Sequence, residues 1–351
     1  MTLRTSACCL AVWLAIGSSP GPAPAAEGDR LDRFRQLASS RLAILELSGP
    51  ESSVEGVREI YALLDDEIIE NLNAGSVFAS AGFLQDRLDA FADTWGGSAF
   101  RIVHLAAGDV AVGSFQLSVG GSGNSVRVYR RGGGAELVTA IHRPGVPHLF
   151  PMPPTRAGQG QFLVVWQGSP ARRGVPVLGI ELWRQQGEQV RAVWSTAELL
   201  GADLSPIAFE VRGQELAVRS EARYPGWKLG CEGQTEQVDY YRYLAASETF
   251  VLVRRQVSNG WHRELHAVVD RLLGALRRGE QRVLSALGLS PELRQNLPEV
   301  LEPEPVCDVA DDPNPELVTV SATAPGDPRP WALRFRRTAN GWRFAGAGRV
   351  P

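Results

Sequence analysis

The chain has 351 residues, 44% of them apolar and 21% charged, with a formal net charge of −3. That is enough apolar chain to bury a sizeable core over two or three domains, and it excludes wholesale disorder. A slightly acidic chain without a basic tail is also a poor partner for nucleic acid or anionic membrane.

Residues 1–25 read as a signal peptide. Arg4 supplies the positive start and Ala7–Ile16 an apolar run of about ten residues, the usual length of a signal core. Ser18–Pro24 break the run, and Ala23-Pro24-Ala25 offers small residues for cleavage after Ala25, with Ala26 as the near alternative. The run falls short of the roughly 20 residues a spanning helix needs. A lipid anchor would need a cysteine directly after the run, and Cys8 and Cys9 come too early. The mature chain is therefore expected in the periplasm or outside the cell, with no membrane span. Lys228 is the sole lysine, an arginine bias that looks like the coding habit of a GC-rich bacterium.

Only Cys231 and Cys307 survive cleavage. In an oxidising compartment two such cysteines are expected to pair, the alternative being two separate thiols. A bridge closing residues 232–306 would contribute roughly 4 kcal/mol on the chain-entropy view.

In chain order, residues 26–97 read as helical. Leu31, Phe34, Ala38, Leu42 and Leu45 recur at helical spacing, and Ser52 with Glu55 forms a capping box ahead of the stripe Val57, Ile60, Tyr61, Leu64, Ile68 and Leu72. A third stripe, Leu84, Leu88, Phe91 and Trp95, stops at Gly96-Gly97. Asp65, Asp66, Glu67 and Glu70 on the second helix read as a charged face in water rather than a catalytic carboxylate pair.

From residue 98 to 257 the period changes to two. Phe115–Val119, Val126–Val128, Phe162–Trp166, Gly179–Trp183, Phe209–Val211 and Phe250–Val253 read as short strands separated by Gly- and Pro-rich breaks. One central antiparallel meander is the expectation. A closed propeller is disfavoured because its four or more blades need more regular spacing. Pro144–Pro154 is expected to be a rigid, irregular crossing.

Residues 258–351 return to helix and then strand. Trp261, Leu265, Val268, Val269, Leu272 and Leu276 form a clean amphipathic stripe. Leu317–Thr323, Trp331–Arg336 and Trp342–Ala345 follow as strands, the last two joined at Asn340-Gly341. The whole is expected to be an α+β protein: helical N-terminal region, central antiparallel β domain, small C-terminal helix-plus-antiparallel-sheet domain. A long helix before three strands, ending in Trp331-Ala332-Leu333-Arg334-Phe335 and Gly341-Trp342-Arg343-Phe344, resembles small exported domains of the nuclear-transport-factor-like or cystatin-like kind. The resemblance covers about a quarter of the chain. It implies a curved sheet wrapped round a helix and, in many members, binding without catalysis.

Candidate sites are few. His262 and His266, four apart on the long helix, could share a zinc ion; the competing reading is a solvated helix edge. Asp270 lies about 12 Å along the axis from His262, too far to join them. Asp308, Asp311, Asp312, Asn314 and Glu316 could hold calcium, but their spacing fits a solvated linker better. Tyr224, Trp227 and Lys228 lie on a turn-rich loop just before Cys231, and Tyr240, Tyr241 and Tyr243 could extend a ring surface for a sugar or peptide. The competing reading fills the sheet core with these rings.

No nucleophile elbow, phosphate loop or dinucleotide fingerprint is present, so no catalytic residue and no cofactor are assigned. Two functions remain: a non-enzymatic binding or envelope-associated protein recognising a protein, peptide or glycan, or a metal-assisted hydrolase using His262, His266 or His142.

Overall fold

A computed structural model describes residues 27–40, 50–96, 99–118, 123–131, 134–170, 176–200, 203–308 and 312–350. The expected signal peptide, and Leu42 and Leu45 of the first helical stripe, lie outside the described residues.

Three helices lead: α1 (Glu27–Ser39), α2 (Pro50–Ala74) and α3 (Ala81–Trp95). The second begins at Pro50, so the capping-box residues Ser52 and Glu55 fall inside it; proline suits a first helical position because it gives up no bonded N–H there. The third is capped by Ser80, whose hydroxyl accepts from the Phe83 N–H at 3.2 Å, and by Gly96 at φ +98°.

The expectation of an α+β protein built on one central meander is corrected by the sheet topology, which makes the described residues mostly β. The described residues form four separate antiparallel sheets of four strands, each in simple sequential order. Sheet 1 is β1 (Phe100–His104), β2 (Val110–Phe115), β3 (Ser125–Arg130) and β4 (Glu136–His142). Sheet 2 is β5 (Val146–Met152), β6 (Gln161–Pro170), β7 (Pro176–Gln186) and β8 (Gln189–Ser195). Sheet 3 is β9 (Leu204–Arg212), β10 (Glu215–Ala222), β11 (Glu236–Leu244) and β12 (Thr249–Ser258). Three sheets therefore stand where one was expected, and they stack face to face.

The run Phe162-Leu163-Val164-Val165-Trp166 shows why. Phe162, Val164 and Trp166 pack against Val112, Val126 and Val128 of sheet 1. Leu163 and Val165, on the opposite face, pack against Leu216, Val218, Tyr241 and Phe250 of sheet 3. A strand buried on both faces needs no polar alternation. The stack is closed at one end by α1–α3, whose Phe34, Leu64, Leu88 and Trp95 cover Phe100, Phe115 and Tyr129 of sheet 1.

Pro144–Pro154 was expected to be irregular, yet it contains β5. Pro147 and Pro151 sit in an edge strand, where an absent N–H on the outer side costs no ladder bond.

The carboxylates of α2 also differ from expectation. Asp66 and Glu70 are exposed, but Glu67 is 1% exposed and bonded by Arg30 and Arg87. Asp65 receives Arg127 through Nε at 2.7 Å and through Nη2, and Tyr129 Oη at 2.8 Å. Both acids are turned inward because α2 is covered by α1 and α3 on one side and by sheet 1 on another.

The C-terminal unit carries α4 (Gly260–Arg278), α5 (Gln281–Ala286) and α6 (Pro291–Asn296) over sheet 4, made of β13 (Glu302–Pro303), β14 (Leu317–Ala324), β15 (Asp327–Thr338) and β16 (Gly341–Arg349). Leu265, Val269, Leu272 and Leu276 of α4 meet Val320, Leu333, Phe335 and Phe344 of the sheet. Arg334 and Arg336 alternate outward. The last hairpin turns one residue earlier than read from Asn340-Gly341, since Gly341 already pairs with Thr338. No described helix is long and apolar enough to cross a membrane.

Candidate metal centre and adjoining groove

Three segments meet where sheet 3 gives way to the C-terminal unit: residues 223–235 between β10 and β11, the first turns of α4, and residues 306–308. Cys231 and Cys307 are joined by a disulfide, which ties the first of these to the third. Gln234 organises the loop: its Oε1 accepts from the Lys228 N–H at 2.7 Å, and its amide donates to the Cys231 carbonyl at 3.0 Å. Thr235 pins the loop to the helix. Its hydroxyl donates to the Asn259 carbonyl at 2.8 Å and accepts from the Arg263 N–H at 3.2 Å.

His262 and His266 lie one turn apart on the face of α4 turned to this junction. They are 2% and 1% exposed, which rules out the solvated edge. Asp308, one residue beyond Cys307, accepts from His266 Nε2 at 2.6 Å and lies 3.2 Å from His262 Nε2, both through Oδ2. The donor atoms of these three side chains lie within 4.8 Å of one another. Lys228 Nζ stands 3.3 Å from each Asp308 oxygen and also bonds the Val306 carbonyl. The Tyr224 hydroxyl meets His262 Nδ1 at 2.6 Å and accepts from the Thr235 N–H at 3.2 Å.

The electrostatics follow from this placement. Burial alone would raise the Asp308 carboxyl, but the hydrogen bonds from His262 and His266, with the charge of Lys228, outweigh it and hold the group well below the ordinary carboxylate range. Burial pushes the His262 imidazole below its usual value, against the pull of Asp308. Around neutral pH the centre therefore combines an ionised carboxylate with a neutral imidazole at His262.

Gly226 is required by this packing. At φ +89° it sits against the His266 ring, and an added Cβ would lie 1.9 Å from Nδ1. Gly226→Ala should displace that ring and, with the left-handed backbone, destabilise the protein by about 1–3 kcal/mol. Thermal denaturation checks this; an unchanged midpoint would contradict the contact.

The sequence candidates fall in different places. Tyr224 and Lys228 are drawn into the centre, so neither is free on a binding surface. Trp227 is half-buried, with the Arg223 guanidinium 5.0 Å from its ring centroid. Tyr241, 3% exposed, belongs to the core between sheets 2 and 3, and the fold does not bring it to the loop. His142 lies near Tyr61, far along the chain from the pair on α4. Asp308 leaves the acidic loop for the histidines, while Asp311 lies outside the described residues. What sequence reasoning missed is that Asp308, assigned to the acidic loop, is the partner of His262 and His266; its adjacency to Cys307, with Lys228 three before Cys231, was the signal available.

Beside the centre runs a groove of about 460 Å³ between Pro225–Gly226, α4, and Leu301–Pro303. His266 is in its wall. Val269, Leu273 and Leu301 give it an apolar floor, and Arg271, Arg277 and Arg278 line it together with the acid Asp270. Arg278 is also held by Glu280 at 2.6 Å.

No protein-family model matches the chain, and no curated protein matches it in sequence. Among solved structures, it is similar to a protein from Lactobacillus plantarum at 10% identity, over 67% of this chain and 53% of that one, with a TM-score of 0.23. It is also similar to the Vanderwaltozyma polyspora Nup133 β-propeller domain at 7% identity, over 72% and 63%, with a TM-score of 0.25. The chain thus spans less than two thirds of either structure. Likeness at this level assigns neither family nor activity.

Proposed function

We propose that this chain is a non-enzymatic binding protein of the cell envelope, exported and cleaved near Ala25, that holds a small anionic ligand in the groove beside α4. The observation that carries this reading is the groove itself: an apolar floor of Val269, Leu273 and Leu301 under a rim of three arginines. Its volume lies within the range of small-molecule sites, about 300–1,000 Å³. Guanidinium groups favour carboxylate and phosphate because their planar donors match such oxygens in pairs. A ligand with an acidic head on an apolar body uses both surfaces.

Calorimetric titration with benzoate, phenyl phosphate and benzyl alcohol tests this. The two anions should bind and the alcohol should not. Arg271→Gln with Arg277→Gln should weaken the anions by about 10- to 100-fold, the worth of one or two charge-assisted hydrogen bonds. Equal binding of all three probes, or none, would remove the proposal.

A further inference from the structure

We infer that His262, His266 and Asp308 form a binding site for a divalent transition metal of the zinc class, held with Tyr224 and Lys228 as its supporting partners. This does not rest on the groove: a metal site with no anion binding, or the reverse, would each be recognisable.

The geometry begins with the helix. Residues four apart on α4 lie on one face, and the two imidazole rings stand 4.5 Å apart between centroids, inclined by 32°. Both Nε2 atoms face the same oxygen, Asp308 Oδ2. Two nitrogens and one carboxylate oxygen are a ligand set that zinc-class ions accept. Tetrahedral donors around an ion with bonds of about 2.0–2.2 Å stand roughly 3.3 Å apart. The separations of 2.6 and 3.2 Å here reach that spacing by small ring shifts. The side chains of all three are no more than 3% exposed.

The surroundings support the same assignment. Metal-bound histidines are oriented by a partner on the other ring nitrogen, and for His262 that partner is the Tyr224 hydroxyl on Nδ1. With Nε2 on the metal, Nδ1 carries the proton and donates it to the phenolic oxygen. Asp308 coordinates through Oδ2 and keeps Lys228 on Oδ1. Its backbone is fixed by the bridge at Cys307, so the third ligand is positioned before any ion arrives. The rival arrangement is a closed knot in which two imidazole N–H groups and the Lys228 ammonium satisfy the carboxylate among themselves. The two differ in one observable, the uptake of metal.

The experiment uses the untagged, disulfide-intact mature chain, stripped with chelator and titrated with zinc by calorimetry and with cobalt by visible absorption. One zinc per chain is expected, with cobalt giving the intense d–d bands of a tetrahedral site. His266→Gln and Asp308→Asn should each weaken zinc by more than about 100-fold, and Tyr224→Phe by about tenfold, as outer partners do. Near-UV circular dichroism of each variant establishes folding. Should His266→Gln fail to fold, Asp308→Asn, which keeps shape and a hydrogen-bonding oxygen, carries the test. Wild-type protein that is folded and takes up no zinc overturns the site and leaves the closed knot. Undiminished zinc binding in both ligand variants overturns it equally.

Discussion

Asp65→Ala is expected to destabilise the protein by about 3–5 kcal/mol, measured by chemical denaturation. The carboxylate is the shared partner of Arg127 and Tyr129, and the Arg127 side chain is only 8% exposed. Removing the acid strands a positive charge between α2 and sheet 1, where water cannot replace the lost partner. Tyr61 adds a ring 4.7 Å from the guanidinium carbon, which stabilises the cation but cannot neutralise it. The double variant Asp65→Leu with Arg127→Met removes both charges and should lie closer to wild type than Asp65→Ala alone. A cost below about 1 kcal/mol for Asp65→Ala would mean that the pair is solvated, as exposed pairs are.

Replacing Cys231 and Cys307 by serine together is expected to cost up to about 4 kcal/mol, because the free chain regains the entropy of a loop closed across a sequence separation of 76. The loss should be local. The bridge joins the loop after β10 to the segment before β14, so the contacts it protects are Lys228–Asp308, Tyr224–His262 and the Thr235 bonds to the start of α4. Amide exchange should quicken in residues 223–235 and in the first turns of α4. Phe162–Trp166, buried between sheets 1 and 3, should keep its protection. Uniform acceleration through that strand would show that the bridge stabilises the molecule globally instead.

Much of this could be read from residue order because it rests on local periodicity. The apolar stripes on α3 and α4 are helical repeats, and Leu333 and Phe335 alternate with Arg334 and Arg336 whatever lies beyond the sheet. Cys231 and Cys307 are the only cysteines left after the expected cleavage, so their pairing needed only the redox compartment. The grouping of strands was not legible. A period of two fixes which residues share a face, but it does not fix where one sheet ends or what the face meets. The apolar run 162–166 gave the one hint, since a strand without alternation needs cover on both sides. Prolines at 147 and 151 argued against a strand because edge position, which excuses them, is a property of the assembled sheet.

Residue order alone determined the α4 histidine pair, the half-buried strands and the cysteines that could join distant segments. Tertiary structure decided that the pair is buried, that Asp308 completes it and that Tyr224 and Lys228 turn inward to it. The physical reason is that spacing along a helix fixes which side chains share a face, whereas burial and charge pairing depend on what another part of the chain presents to that face.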